Sequence, residues 1–192
     1  MLCVCTAEKT KQHEAAHALL WESLKEYGRE QGISLGEMPL CLTLGSAGKP
    51  SFTEYPEIEF NLSHCEGMAA CLISDCACGV DAEGIRHVRP KVAARVFSAE
   101  EQAQLAASAN PDLLFTQLWT LKESYIKAIG VGLSYPMQTL SFRLEEEGIV
   151  SNHPEASFAQ LLLPRHVVSV CRLSSQQVQP VIACSWSSAY NS

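Results

Sequence analysis

Apolar residues recur along this chain in two rhythms. Between residues 9 and 30, Ala15, Leu19, Leu20, Leu24 and Tyr27 return at three- and four-residue steps, which predicts an amphipathic helix ending before Gly32. Residues 40–44 (L-C-L-T-L) predict a strand, and residues 45–50 (G-S-A-G-K-P) a turn. Ile58, Phe60 and Leu62 then alternate with Glu59, Asn61 and Ser63, the period-two signature of a strand with one buried face. Residues 68–74 are short and apolar and predict its hairpin partner across 65–67; residues 78–83 predict a third strand.

The helical rhythm returns further on. Ser98 and Glu101 have the spacing of a capping box, heading a helix to about Ser108. Asn110 and Pro111 open a longer helix that runs to Gly130. Residues 139–144, 166–173 and 181–186 predict strands, with 176–180 as the turn between the last two. Residues 151–164 fit neither rhythm cleanly and read as a short helix over 155–163. Helix-then-strands therefore occurs twice, without a residue-level repeat. The pattern predicts an α+β fold of two pseudo-equivalent lobes, 1–84 and 85–192, each a small antiparallel sheet packed with a long helix. The two lobes are expected to form one compact unit.

Composition narrows the function. With 192 residues, 47% hydrophobic and 18% charged, the chain is an ordinary globular one. Its formal charge of −7 argues against a nucleic-acid partner, which needs a broad basic surface. No apolar run approaches membrane-spanning length and the first residues lack the apolar core of a signal peptide, so no membrane association is expected and the location is expected to be cytoplasmic. The nine cysteines contain no C-x-x-C pair. His64-Cys65 with Cys76-x-Cys78 has the wrong spacing for a zinc site, and reduced structural thiols are the expectation.

Candidate chemistry gathers in two places. On the helix W-T-L-K-E-S-Y-I-K-A-I-G (119–130), Glu123 and Lys127 are four apart and share a face; on its own this fits a surface ion pair. Upstream, Asp81 and Glu83 in C-G-V-D-A-E-G project from the same side of a strand, where two carboxylates repel unless a cation lies between them. Arg86 could be that cation. A hard divalent ion is the other answer, because Mg²⁺ takes one or two protein carboxylates plus phosphate and water oxygens; Asp81, Glu83 and Glu123 would make such an open site. The 45–50 turn, with its glycine N–H groups and Lys49, can cradle an anion or be a plain β-turn. Ser63 and His64 could donate to a phosphate. Arg86, Arg89, Lys91 and Arg95 place four of the 14 basic residues in one segment, either a solvated helix start or a docking patch for an acidic partner or a phosphate. Glu101 has a sufficient job in the capping box. The glycine-rich 130–134 lacks the Lys-Ser/Thr of a P-loop, and 145–148 reads as an acidic turn without function.

Taken together, F-N-L-S-H (60–64), G-V-D-A-E (79–83), F-S-A-E-E (97–101) and W-T-L-K-E-S-Y-I-K (119–127) followed by G-V-G-L-S resemble the 4′-phosphopantetheinyl transferase superfamily, in its order and approximate spacing. Length and the two-lobed pattern are similar to its pseudodimeric type, which activates surfactin synthetase. The resemblance implies transfer of phosphopantetheine from coenzyme A to a serine of a carrier protein, with release of adenosine 3′,5′-bisphosphate. By motif position it implies that Asp81, Glu83 and Glu123 hold Mg²⁺, and that Lys127 stabilises the diphosphate charge. It also implies that Gly48, Lys49, Asn61, Ser63 and His64, with Glu123 and Lys127, contact coenzyme A. Glu123 is the implied base for the serine hydroxyl, with Glu101 the second candidate. Residues 86–95 lie where the family docks its acidic carrier protein. A basic N-terminal region that grips the 3′-phosphate is poorly matched here, Lys9, Lys11 and Lys25 being the nearby cations. A pseudodimer has no need to pair, so a monomer is expected. Two other readings remain beside this one: a catalytically silent coenzyme A or carrier-protein binder, and a Mg²⁺-dependent coenzyme A diphosphate hydrolase.

Overall fold

The computed structural model describes residues 1–45, 48–174 and 182–186. In chain order the elements are β1 (Leu2–Ala7), α1 (Gln12–Gln31), β2 (Leu42–Leu44), β3 (Pro50–Phe52), β4 (Glu59–Cys65), β5 (Gly67–Ser74) and β6 (Cys78–Gly84). There follow α2 (Pro90–Val96), α3 (Ala99–Ala107), α4 (Pro111–Ile129), β7 (Phe142–Glu145), β8 (Gly148–Ser151), β9 (Ser157–Leu162), β10 (His166–Arg172) and β11 (Ile182–Trp186). The α+β class holds. One sheet has the order β11-β1-β5-β4 and a second β6-β10-β9, with two small hairpins, β2-β3 and β7-β8. All the strand pairs are antiparallel except β1 with β11.

Strand alternation builds four layers. Cys3, Ala69, Cys71 and Ile73 face α1 through Ala16, Leu19, Leu20 and Leu24. Their neighbours Leu2, Val4, Ala70 and Leu72 face the second sheet, where they meet Cys78, Val80, Ala82, Val168 and Val170. The far side of β6 and β10 takes α4, whose Leu118, Leu121, Tyr125 and Ala128 join a core with Phe97, Phe142 and Cys171. Where β4 meets β6, side chains replace a ladder: Val80 N–H donates to Asn61 Oδ1 at 2.9 Å and Ala82 N–H to Ser63 Oγ at 3.1 Å. Sheet membership thus changes between β5 and β6, and β11 returns to the first sheet.

Several expectations need correction. The short helix over 155–163 is the strand β9, buried with period two and paired to β10. Its backbone extends the β6-β10 ladder by one strand, while its side chains alternate between buried and half-buried from Ser157 to Gln160. The strand over 139–144 starts only at Phe142. Before it lies a 3₁₀ turn, Met137–Thr139, because the buried Lys122 ammonium takes the Met137 and Leu140 carbonyls (2.9 and 2.5 Å) away from any ladder. The acidic turn at 145–148 closes a hairpin, and β1 and β3 had no counterpart in the sequence reading. The turn expected at 176–180 falls outside the described residues.

Candidate active site

The site exists because α4 lies directly on β6. A Cβ at Gly79 would stand 2.0 Å from Ser124 O and 2.5 Å from Ala128 N, so only glycine permits the approach. The helix is held at its ends as the sequence predicts: Asn110 Oδ1 accepts from Leu113 N–H at 3.3 Å, and Gly130 adopts the left-handed C-cap at φ 69°. Since Cys78, Val80 and Ala82 face the space between the sheets, Asp81 and Glu83 face the α4 side, where Glu123 and Lys127 arrive.

Lys127 Nζ donates to Asp81 Oδ1 at 2.7 Å, to Ser63 Oγ at 3.1 Å and to Val80 O at 3.1 Å. Ser63 in turn donates to Asp81 Oδ1 at 3.2 Å. One oxygen of Asp81 is therefore saturated. The other, Oδ2, is buried without a hydrogen-bond partner, and so is Glu123 Oε1. Burial pushes the Glu123 carboxyl up to about 7; Asp81 and Glu83 add to the rise and Lys127 opposes it. Glu83 is also raised, first by burial and then by Asp81, with Arg86 opposing, and Arg86 forms an ion pair with it. Two buried oxygens with nothing to bind, beside a Glu83 and a Glu123 raised by burial and by the Asp81 charge, form the environment a hard cation relieves. Among the described residues no group of three His, Cys, Asp or Glu stands gathered as a ready metal cage. Asp81 and Glu123 thus present open valences, while Glu83 is held by Arg86.

Other expected site residues are placed differently. Glu101 is corrected from second base to buried strut. Its Oε2 accepts from Ser98 N–H at 2.8 Å and pairs with Lys122 at 2.7 Å, while Oε1 accepts from Phe142 N–H at 3.0 Å. Asn61 and Ser63 join β4 to β6, and Ser63 also steadies Lys127. Gly48 N–H donates to Gly45 O at 2.9 Å. Lys49 reaches Glu59 (3.1 Å), Cys78 O (3.1 Å) and Ala128 O (3.3 Å), so its ammonium caps the end of α4 instead of standing free. It borders a cleft of about 310 Å³, also lined by Gly45, Ser51, Glu59, Ile129 and Gly130. His64 is exposed.

Sequence reasoning missed three features. His13 and His17 bring their rings beside His64: His13 lies 4.5 Å from His17 and 6.1 Å from His64. Their i,i+4 spacing was a signal, but its partner is on a distant strand. Lys122 was not singled out, since one lysine in a motif reads like another. Finally, the segment after β6 is tied to α4: Arg86 N–H donates to Thr116 Oγ1 at 3.1 Å, and Val88 N–H donates to Asp112 Oδ1 at 2.9 Å, which leaves the Arg86, Arg89, Lys91 and Arg95 side chains on the surface.

Comparison with known proteins gives the family of the chain. Residues 77–178, the part carrying β6, α4 and β10, match the model of the 4'-phosphopantetheinyl transferase superfamily. A 4'-phosphopantetheinyl transferase of Bacillus subtilis is 30% identical over 79% of this chain and 71% of its own length. The 4'-phosphopantetheinyl transferase Sfp of Bacillus subtilis (strain 168) is 36% identical over 73% of this chain and 63% of its own. A partial structural likeness, with a TM-score of 0.46 and 19% identity, links 53% of the chain to 64% of Thermotoga maritima holo-[acyl-carrier-protein] synthase. The chain belongs to the 4'-phosphopantetheinyl transferase superfamily. No described helix is long and apolar enough to cross a membrane.

Proposed function

We propose that this chain transfers the 4′-phosphopantetheine group of coenzyme A to a serine of an apo carrier protein, with Mg²⁺ and with release of adenosine 3′,5′-bisphosphate. The observation that carries the reading is the pair of buried, unpartnered carboxylate oxygens, Asp81 Oδ2 and Glu123 Oε1, beside the Lys127 ammonium. Asp81 and Glu123, joined by Glu83, would hold the cation, which when bound neutralises the diphosphate and its leaving group.

The chain's own groups supply the rest. Lys127 is fixed by Asp81, Ser63 and Val80 O, so its charge is aimed before substrate arrives and needs no reorganisation. Glu123 is the candidate base for the serine hydroxyl, directly or through a water, because its buried Oε1 has no hydrogen-bond partner. The exposed His64 and His13, with the half-buried His17 beside His13, offer imidazoles for a coenzyme A phosphate. The exposed Arg86, Arg89, Lys91 and Arg95 suit an acidic carrier protein. All four side chains of the acid–lysine corner come from one chain, which fits a monomer with the site between lobes 1–84 and 85–192.

The test is intact mass spectrometry of an apo acyl carrier protein incubated with this protein, coenzyme A and Mg²⁺, with an EDTA control. A gain of one phosphopantetheine that EDTA abolishes is the expected result. Bound coenzyme A without transfer would point to a silent binder, and cleaved coenzyme A without transfer to a hydrolase.

A further inference from the structure

The three acids of the site are compensated differently. Asp81 has Lys127, Glu123 makes no ion pair among the described residues, and Glu83 has Arg86. The Arg86 contact differs from the Lys127 contact in one respect: Arg86 is exposed and free to leave. Its side chain is 47% exposed against 18% for Glu83, whereas Lys127 is held by three acceptors. Its backbone, by contrast, is pinned. The amide donates to Thr116, and the following residues are held at Asp112 through Val88 N–H and the His87 ring. Moving the guanidinium off Glu83 therefore needs side-chain rotation only. Arg89, Lys91 and Arg95, which follow closely in the chain, are exposed as well.

We infer that Arg86 is an internal stand-in for the cation: it neutralises Glu83 while the site is unloaded, and a divalent cation on Asp81, Glu83 and Glu123 displaces it toward an acidic carrier protein. The inference rests on the cation reading proposed above and adds a linkage to it. A guanidinium and a divalent ion cannot both hold one carboxylate without strong mutual repulsion. Whatever removes Arg86 from Glu83 must then favour the cation, and the cation must by the same factor favour whatever partner takes Arg86. Arg86 is on this account a residue that orders the reaction, making the carrier-docking surface complete only on a loaded site.

The experiment is Mn²⁺ binding, read as the loss of the free-ion electron paramagnetic resonance signal, on the full chain and on Arg86→Gln and Arg89→Gln. Arg89 is a control, because it also lowers the Glu83 carboxyl through its field but makes no ion pair with it. Arg86→Gln should bind Mn²⁺ roughly two- to fivefold more tightly than the parent, the range for releasing a half-exposed ion pair. Arg89→Gln should change it less than about twofold. Equal tightening in both variants would reduce the effect to general charge, and no tightening in Arg86→Gln would show that Arg86 does not compete; either result overturns the inference. Absence of site-specific Mn²⁺ on all three proteins would instead remove the cation reading beneath it, and the inference with it. As a second readout, an acidic apo carrier protein should bind the parent more tightly with Mn²⁺ than with EDTA, and Arg86→Gln should lose that difference. A Mn²⁺ effect that persists undiminished in Arg86→Gln would also refute the linkage.

Discussion

Helix α4 carries two lysine–carboxylate pairs five residues apart in the chain, Lys122–Glu101 and Lys127–Asp81, both at 2.7 Å. The first is wholly buried, 0% exposed on both sides, and every polar atom in it is used: Lys122 on Glu101, Met137 O and Leu140 O, Glu101 on Lys122, Ser98 N–H and Phe142 N–H. The second opens to solvent on the lysine side and leaves Asp81 Oδ2 and the neighbouring Glu123 Oε1 unpaired. Burial of charge is common to both. Unmet hydrogen-bonding capacity next to an opening separates the chemical corner from the strut.

The contrast can be broken most directly at its two acids. Removing the strut leaves a buried, unpaired ammonium, so Glu101→Ala should cost about 3–5 kcal/mol, seen as a thermal midpoint lower by roughly 10 °C. Replacing both partners, Glu101→Met with Lys122→Met, should recover most of that loss, because a desolvated ion pair is of little net stabilising value against apolar packing. Asp81→Ala should do the reverse: melting near that of the parent, and phosphopantetheine transfer reduced by at least about 10²-fold.

A second prediction concerns pH. The folded-state carboxyl of Glu123 is raised to about 7, above the unfolded value of about 4.3. Between these values the folded chain keeps a proton that the unfolded chain has lost, so stability falls as pH rises through that window, by about 3 kcal/mol in total. Glu123→Gln should therefore melt higher than the parent at pH 8 in EDTA and show little difference at pH 4. Calorimetry across pH 4–8 checks this; identical pH dependence in both proteins would mean that Glu123 is not strained. A smaller effect is expected at the contact beneath the whole site. Gly79→Ala puts a methyl into the Ser124 carbonyl, and should cost about 1–3 kcal/mol while lowering transfer with it, as α4 backs away from β6.

What was legible in the sequence follows from the same physics. Period and capping located α1, α3, α4 and the β4–β5 hairpin, because each is an element whose one buried face repeats. Strand alternation put Asp81 and Glu83 on one side, and helix spacing put Glu123 and Lys127 on another shared face; Gly79 decides that those faces meet, and that contact has no local signature. β1 (L-C-V-C-T-A) escaped because it is covered on both faces and so shows no alternation. β9 (S-F-A-Q-L-L) was misread because its alternation breaks at Leu161-Leu162, although its partner β10 follows after three residues. Asn61, Ser63 and Lys49 were legible only as polar groups at the site, since a polar side chain on an inward strand face looks the same whether it meets a substrate or joins two sheets. Only the positions of Val80 N–H, Ala82 N–H and the end of α4 tell these apart.

The most direct measurement is the single-turnover rate of phosphopantetheine transfer to an apo acyl carrier protein, followed by intact mass, for the parent, Asp81→Asn and the double Glu101→Met, Lys122→Met variant. All three are first shown to melt cooperatively. The account predicts a rate close to the parent's for the double variant and near-complete loss for Asp81→Asn. A folded Asp81→Asn that transfers at the parental rate would contradict it.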